Sequence, residues 1–149
     1  MTSCVKEKKF PSTPAITFSK YVLFKTDSAD CYIKFRDGDG DIGVYSGDTT
    51  SENNLKMKFL YKASDGKFAP YDKFLGNSTF DTLFYDTRIP NITPDGQYKA
   101  LDGEIKIKLR VSPLYGSFGK GDVVKFEITL TDRAGHKSNT VSTDEIVLP

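Results

Sequence analysis

A chain of 149 residues fits one domain and is long enough to bury a core without covalent staples. Its 21 basic and 20 acidic residues nearly cancel, which points away from a nucleic-acid partner, since that would want a basic face. Hydrophobic residues at 38% and charged residues at 28% are ordinary for a folded domain, and no apolar run approaches the roughly 18 residues of a membrane-spanning helix.

Residues 5–14 are polar, charged and proline-bearing, and read as a flexible tether ahead of the domain proper, residues 15–149. From 15 to 26 the residues are β-prone: Ile16, Phe18, Tyr21, Val22, Leu23 and Phe24. Their alternation slips near Lys20, which predicts a bulge or a strand that changes sheets. A turn at 27–30 leads to a second strand, in which Cys31, Ile33 and Phe35 alternate with Tyr32, Lys34 and Arg36. Cys31 therefore reads as a buried, inert thiol.

An acidic stretch follows, Phe35-Arg36-Asp37-Gly38-Asp39-Gly40-Asp41-Ile42-Gly43, and its loop runs on to Asn54. In the next strand Leu55, Met57, Phe59 and Tyr61 face one way, and Lys56, Lys58 and Lys62 the other. Asp65-Gly66 is a hairpin turn signal. The return segment, 67–71, contains Pro70 and so reads as an edge strand.

Residues 72–102 are the least regular, with one or two short strands suggested by Phe74, Phe80, Leu83, Phe84 and Tyr85. Two clear strands come next. Ile105, Ile107, Leu109 and Val111 alternate with charged residues, and so do Val124, Phe126, Ile128 and Leu130 with polar ones. A turn at 132–136 leads to a last strand, about 139–148. No segment has a convincing helical period. Short strands with period-2 alternation and turns between them predict an all-β chain, an immunoglobulin-like antiparallel β-sandwich of about seven to nine strands.

The acidic stretch is the candidate site. Ca²⁺ takes six to eight oxygens at about 2.3–2.6 Å. Carboxylates at alternating positions, with glycines between them, can wrap such an ion. Counting Asp37 as position 1, Asp39 and Asp41 fall at 3 and 5 and Asp48 at 12. Position 6 is Ile42 rather than Gly, position 12 is Asp rather than Glu, and no helices flank the loop, so it is not an EF-hand. In an immunoglobulin-like sandwich the loops after the second and the penultimate strands lie at one end. Asp132 continues the inward row of Val124 to Leu130, and a bare inward carboxylate needs a partner. A cation held by Asp37, Asp39, Asp41 and Asp132, with Asp48 as a further ligand, meets that need. The competing readings are a salt bridge from Arg133 or Arg36 to Asp132, and plain turn chemistry of Asp and Gly.

Three segments carry a family resemblance. They are residues 35–43, residues 88–97 running on to 100–105, and Asp132-Arg133-Ala134-Gly135-His136-Lys137-Ser138-Asn139. Together they resemble a family of uncharacterised bacterial surface lipoproteins with an immunoglobulin-like domain. The last segment is similar to the closing turn of many bacterial immunoglobulin-like repeats, usually Asp-x-Ala-Gly-Asn, with His136 where Asn is common. Met1-Thr2-Ser3-Cys4 resembles a lipobox, at whose cysteine a lipid is attached. The usual pattern has a charged start and an apolar segment before the tetrad, whereas this sequence starts at the tetrad itself. The resemblance implies a lipid on Cys4 and a place in the bacterial envelope, as an outer-membrane lipoprotein facing the periplasm or the cell surface. It implies no activity.

Little else in the sequence carries chemistry. One histidine, His136, leaves no basis for a zinc site or a His-dependent nucleophile, and no G-x-S-x-G elbow is present. Phe68, Tyr71, Phe74, Phe80, Phe84 and Tyr85 are the candidate binding surface for an envelope protein or a glycan, against a bland reading as core. The expected function is a lipid-anchored, non-catalytic binding module with a structural Ca²⁺ loop. A ligand-free spacer domain is the first alternative and a small carbohydrate-active enzyme or accessory domain the second.

Overall fold

The computed structural model describes residues 9–24, 28–49, 51–76, 79–110 and 117–149, with the backbone alone for 73–76 and 79–81. Ten strands and no helix form among them. They are β1 (Ala15–Phe24), β2 (Ser28–Asp37), β3 (Leu55–Lys62), β4 (Phe68–Pro70), β5 (Asp72–Gly76), β6 (Thr79–Thr82), β7 (Leu101–Arg110), β8 (Val123–Leu130), β9 (Val141–Ser142) and β10 (Ile146–Val147).

Eight of these strands make two antiparallel sheets packed as a sandwich, and β5 and β6 pair with each other as a separate hairpin. In one, β2 lies between β1 and β7. In the other the order is β10-β8-β3-β4, and β9 also pairs with β8. The alternation of the sequence sets which side of each strand is buried. From β2 come Ala29, Cys31, Ile33 and Phe35; from β3 Leu55, Met57 and Phe59; from β7 Ile105, Ile107 and Leu109; from β8 Val124, Phe126, Ile128 and Leu130. Burial pushes the Cys31 thiol up to about 12, which keeps it protonated and unreactive. Phe59 and Phe126 meet edge-on with ring centroids 5.7 Å apart at the centre of the second sheet. Burying each such ring contributes roughly 1.5–3 kcal/mol.

Several local expectations are met. The β1–β2 register shifts between Phe18 and Lys20, at the expected slip. Gly66 closes the 63–67 turn with a positive φ, its N–H donating to the Ala63 carbonyl at 2.9 Å. Proline-bearing β4 sits at an end of the second sheet's order.

Three regions differ from the sequence reading. Of the turn expected at 27–30, Ser28 to Asp30 are already strand, paired with Arg110 to Lys108 of β7. The single last strand expected at 139–148 is broken into β9 and β10. Buried Thr143 lies between them: its hydroxyl accepts the Phe126 N–H at 3.1 Å while its own N–H donates to the Phe126 carbonyl at 2.9 Å. A side chain thus fills a ladder position, and the pairing with β8 shifts by one residue between β9 and β10. In the irregular region, residues 83–87 run beside the first half of β3. Phe59 N–H donates to the Leu83 carbonyl, and Tyr85 N–H to the Met57 carbonyl. The β5–β6 hairpin precedes this segment in the chain.

The sandwich brings two inward rows to the same end. The buried row of β2 does not stop at Phe35; its next member is Asp37, wholly buried. The buried row of β8 runs past Leu130 to Asp132. Each sheet therefore delivers one carboxylate to the rim of the core.

Candidate functional site

The loop after β2 is shaped by close backbone approaches. A Cβ on Gly40 would lie 2.0 Å from the Lys99 carbonyl oxygen, and one on Gly43 2.1 Å from that of Pro90, and both residues have positive φ. Only glycine fits there. Ile42 is wholly buried and plugs the loop into the core. The loop is further held by Val44, whose N–H donates to the Ile89 carbonyl and whose own carbonyl accepts from Asn91 N–H, both at 2.9 Å.

This frame gathers Asp37, Asp39 and Asp41. One carboxylate oxygen from each lies within 4.8 Å of the other two. Oxygens on opposite sides of a bound Ca²⁺ are about 4.6–5.2 Å apart, twice the Ca–O distance, so the three can share one ion. Asp37 Oδ2 accepts the Asp41 N–H at 3.0 Å. Asp41 Oδ2 accepts the Ala134 N–H at 3.0 Å. The second oxygens, Asp37 Oδ1 and Asp41 Oδ1, are buried and have no hydrogen-bond partner. Asp39 is exposed and completes the cluster from the solvent side.

The electrostatics follow. Burial is the largest cause pushing the Asp37 carboxyl up to about 6, and the Asp39 charge adds to it; the Asp41 amide offsets part. Asp41 is raised as well, by burial first, then by the charges of Asp132 and Asp39. Like charges at such separations repel, most strongly where burial keeps water from between them. The Ala134 amide and the Arg133 charge offset part of the rise at Asp41.

Asp132 and the turn it opens do come to the acidic loop. Arg133 N–H donates to the Asp41 carbonyl at 3.2 Å, beside the Ala134 bond to Asp41 Oδ2. Yet Asp132 itself is fully partnered. Its Oδ1 accepts the His136 N–H at 2.7 Å, and its Oδ2 meets His136 Nδ1 at 2.9 Å. That hydrogen bond, with the Asp132 charge, raises the His136 pKa. Asp132 thus stands behind the cluster as a turn-closing carboxylate, its bonds made to His136 rather than to Arg133 or Arg36. Asp48 lies elsewhere on the loop: its Oδ1 accepts the Ser51 N–H at 3.1 Å and its Oδ2 the Ser51 hydroxyl. It is not among the grouped carboxylates.

Sequence reasoning missed the role of Arg133. Its guanidinium donates to the Gly43 carbonyl at 2.9 Å, to Asn91 Oδ1 at 2.8 Å and to Thr93 Oγ1 at 2.6 Å, and it lies 4.8 Å over the Tyr45 ring. Thr93 in turn donates to the Gly40 carbonyl at 2.6 Å. One side chain therefore ties three segments around the loop. Local spacing gives no signal for it, because its acceptors, backbone carbonyls and side-chain oxygens alike, lie 40 or more residues away in sequence.

The aromatic candidates divide. Tyr71 packs on Phe59, Tyr61 and Phe118, and Tyr85 edges against Phe126. Phe68 is covered by Lys125, 4.4 Å from its centroid. Phe84 is 43% exposed. It lines an 870 Å³ groove on the outer face of β3 and β8, together with Tyr45, Lys58 and Thr129. The side chains of Phe74 and Phe80, and all of Cys4, lie outside the described residues.

Comparison of the chain with protein-family models, with curated proteins and with solved structures finds no match.

Proposed function

We propose that this chain is a non-catalytic binding module of the bacterial envelope, with an immunoglobulin-like fold and a lipid on Cys4. In this reading one Ca²⁺, held by Asp37, Asp39 and Asp41, closes the loop end of the sandwich. The observation that carries the cation is Asp37: a carboxylate with no solvent exposure and an oxygen without a donor, grouped with two further carboxylates. Folding does not leave such a group uncompensated without cost. A divalent ion supplies the missing partner to both orphan oxygens and cancels the repulsion. Hard oxygen donors and no sulfur or imidazole in the set favour Ca²⁺ over a transition metal.

The raised Asp37 carboxyl does not favour an enzyme. It is sealed from solvent, and neither the 870 Å³ groove nor a 750 Å³ groove beside β1 and β7 is lined by Asp37, Asp39 or Asp41. An acid that no substrate can reach serves structure better than chemistry. The groove with exposed Phe84 and Tyr45 supports binding over a mere spacer.

Thermal unfolding in excess Ca²⁺ and in EDTA tests the cation. A midpoint that rises with Ca²⁺ supports the site, and an unmoved one removes it. Mass spectrometry of the protein recovered from its native envelope tests the anchor, since a lipid on Cys4 adds a fixed mass to the N-terminal peptide.

A further inference from the structure

The N-terminal arm, residues 9–14, crosses the acidic loop beside its buried carboxylate. Gly38, the residue after Asp37, donates its N–H to the Pro11 carbonyl at 2.9 Å. The approach is so close that a Cβ on Gly38 would stand 2.1 Å from the Phe10 carbonyl oxygen and 2.7 Å from that of Pro11. The Phe10 ring lies under the Arg36 guanidinium, 5.8 Å away, and Pro14 is buried where the arm enters β1. Pro11 to Thr13 are otherwise exposed. Among the described residues, the arm's seat is therefore the backbone of the cation loop, with the Phe10–Arg36 contact beside it.

We infer that the acidic loop is a cation-dependent latch for the N-terminal arm: binding of a divalent ion and docking of residues 9–14 are one coupled event. This rests on the cation reading above. With an ion in place, Asp37, Asp39 and Asp41 are drawn together and Gly38 is held with its N–H turned outward to Pro11. Without one, three like charges within 4.8 Å relax by opening the loop. Gly38 moves with its neighbour Asp37, and the arm loses its hydrogen bond. Coupling of binding is reciprocal, so a docked arm tightens the ion by the same factor. The consequence is that divalent-ion concentration sets whether the domain sits against its own N-terminal arm or swings free of it.

The Lys9–Phe10 bond reports the latch. Endoproteinase Lys-C needs no Ca²⁺ and cleaves this bond in the full chain, and mass spectrometry follows the cut. Wild-type protein is expected to be cut about 5–10-fold more slowly in saturating Ca²⁺ than in EDTA, a coupling of ordinary size. Half-protection should come at the Ca²⁺ concentration at which calorimetry shows half-binding. Gly38→Ala should abolish the protection and weaken Ca²⁺ binding by the same factor. Phe10→Ala leaves the loop backbone untouched and should reduce both by about two- to five-fold, since it removes one exposed cation–π contact. If Ca²⁺ binds but the cleavage rate is the same with and without it, the latch is wrong and the cation site stands. If Phe10→Ala matches wild type in both protection and affinity, the coupling is again overturned. If calorimetry shows no Ca²⁺ binding at all, the cation reading itself falls, and the latch with it.

Discussion

Asp37 and Asp132 are the same residue type in the same place, the rim-side end of an inward row, one in each sheet. Asp132 spends both oxygens on His136. Asp37 spends one on the Asp41 amide and leaves the other buried without a donor. The first is a finished piece of turn chemistry. The second is left with one oxygen unsatisfied. Position on a strand thus sets burial, but the partners nearby decide whether a buried carboxylate has both its oxygens satisfied.

The largest effect is expected from neutralising the unfinished one. Free Ca²⁺ at 100 times its dissociation constant adds about 2.7 kcal/mol to stability, or roughly 5–10 °C in the midpoint of a domain this size. Asp37→Asn should remove that response completely. In EDTA the same variant should match or exceed wild type, because a buried charge has been replaced by an amide. Thermal melts of both proteins in both conditions check this.

The pH dependence should reverse with the ion. The folded Asp37 carboxyl, pushed up to about 6 from 3.8, holds a proton that the unfolded chain has already lost between those values. The native state then binds more protons than the unfolded one, so stability falls as pH rises through that window. In EDTA the melting midpoint should therefore gain from acidification from pH 7 to 5, with this carboxyl contributing no more than about 3 kcal/mol. In Ca²⁺ the proton competes with the ion, and the extra stability should be lost over the same range. Parallel pH curves in Ca²⁺ and EDTA would break the contrast.

Asp132→Ala should cost about 1–3 kcal/mol by stripping the His136 bonds that close the turn. The loss should be similar with and without Ca²⁺, which separates a cap from a ligand in urea titrations. The smallest effect is expected at Asp48. Asp48→Ala loses the Ser51 bonds, about 1 kcal/mol, and should leave Ca²⁺ affinity unchanged by calorimetry.

Much of the fold can be read in the chain because alternation is a local signal. Cys31 to Phe35, Leu55 to Tyr61, Ile105 to Leu109 and Val124 to Leu130 each show their buried side without reference to one another. The same parity, carried two residues further, places Asp37 in the core row, but the Asp-Gly repeat suggests that the strand has already ended. Asp132 is recognisable as inward, whereas its partner is not, because Asp132 and His136 become neighbours only when the turn closes. The glycines read as turn residues. In the structure Gly40 and Gly43 are points of contact with Lys99 and Pro90, which no local pattern encodes. Arg133 and Thr143 are likewise invisible, since each acts on backbone brought near by the sheets.

Calorimetric titration of Ca²⁺ into the wild-type chain and into Asp37→Asn tests the central claim most directly. One ion per chain should bind, with a dissociation constant no weaker than the roughly 10⁻⁴–10⁻³ M of extracellular modules, and the variant should give no binding heat. Wild-type protein that takes up no Ca²⁺ at these concentrations, or a variant that binds as well as wild type, contradicts it.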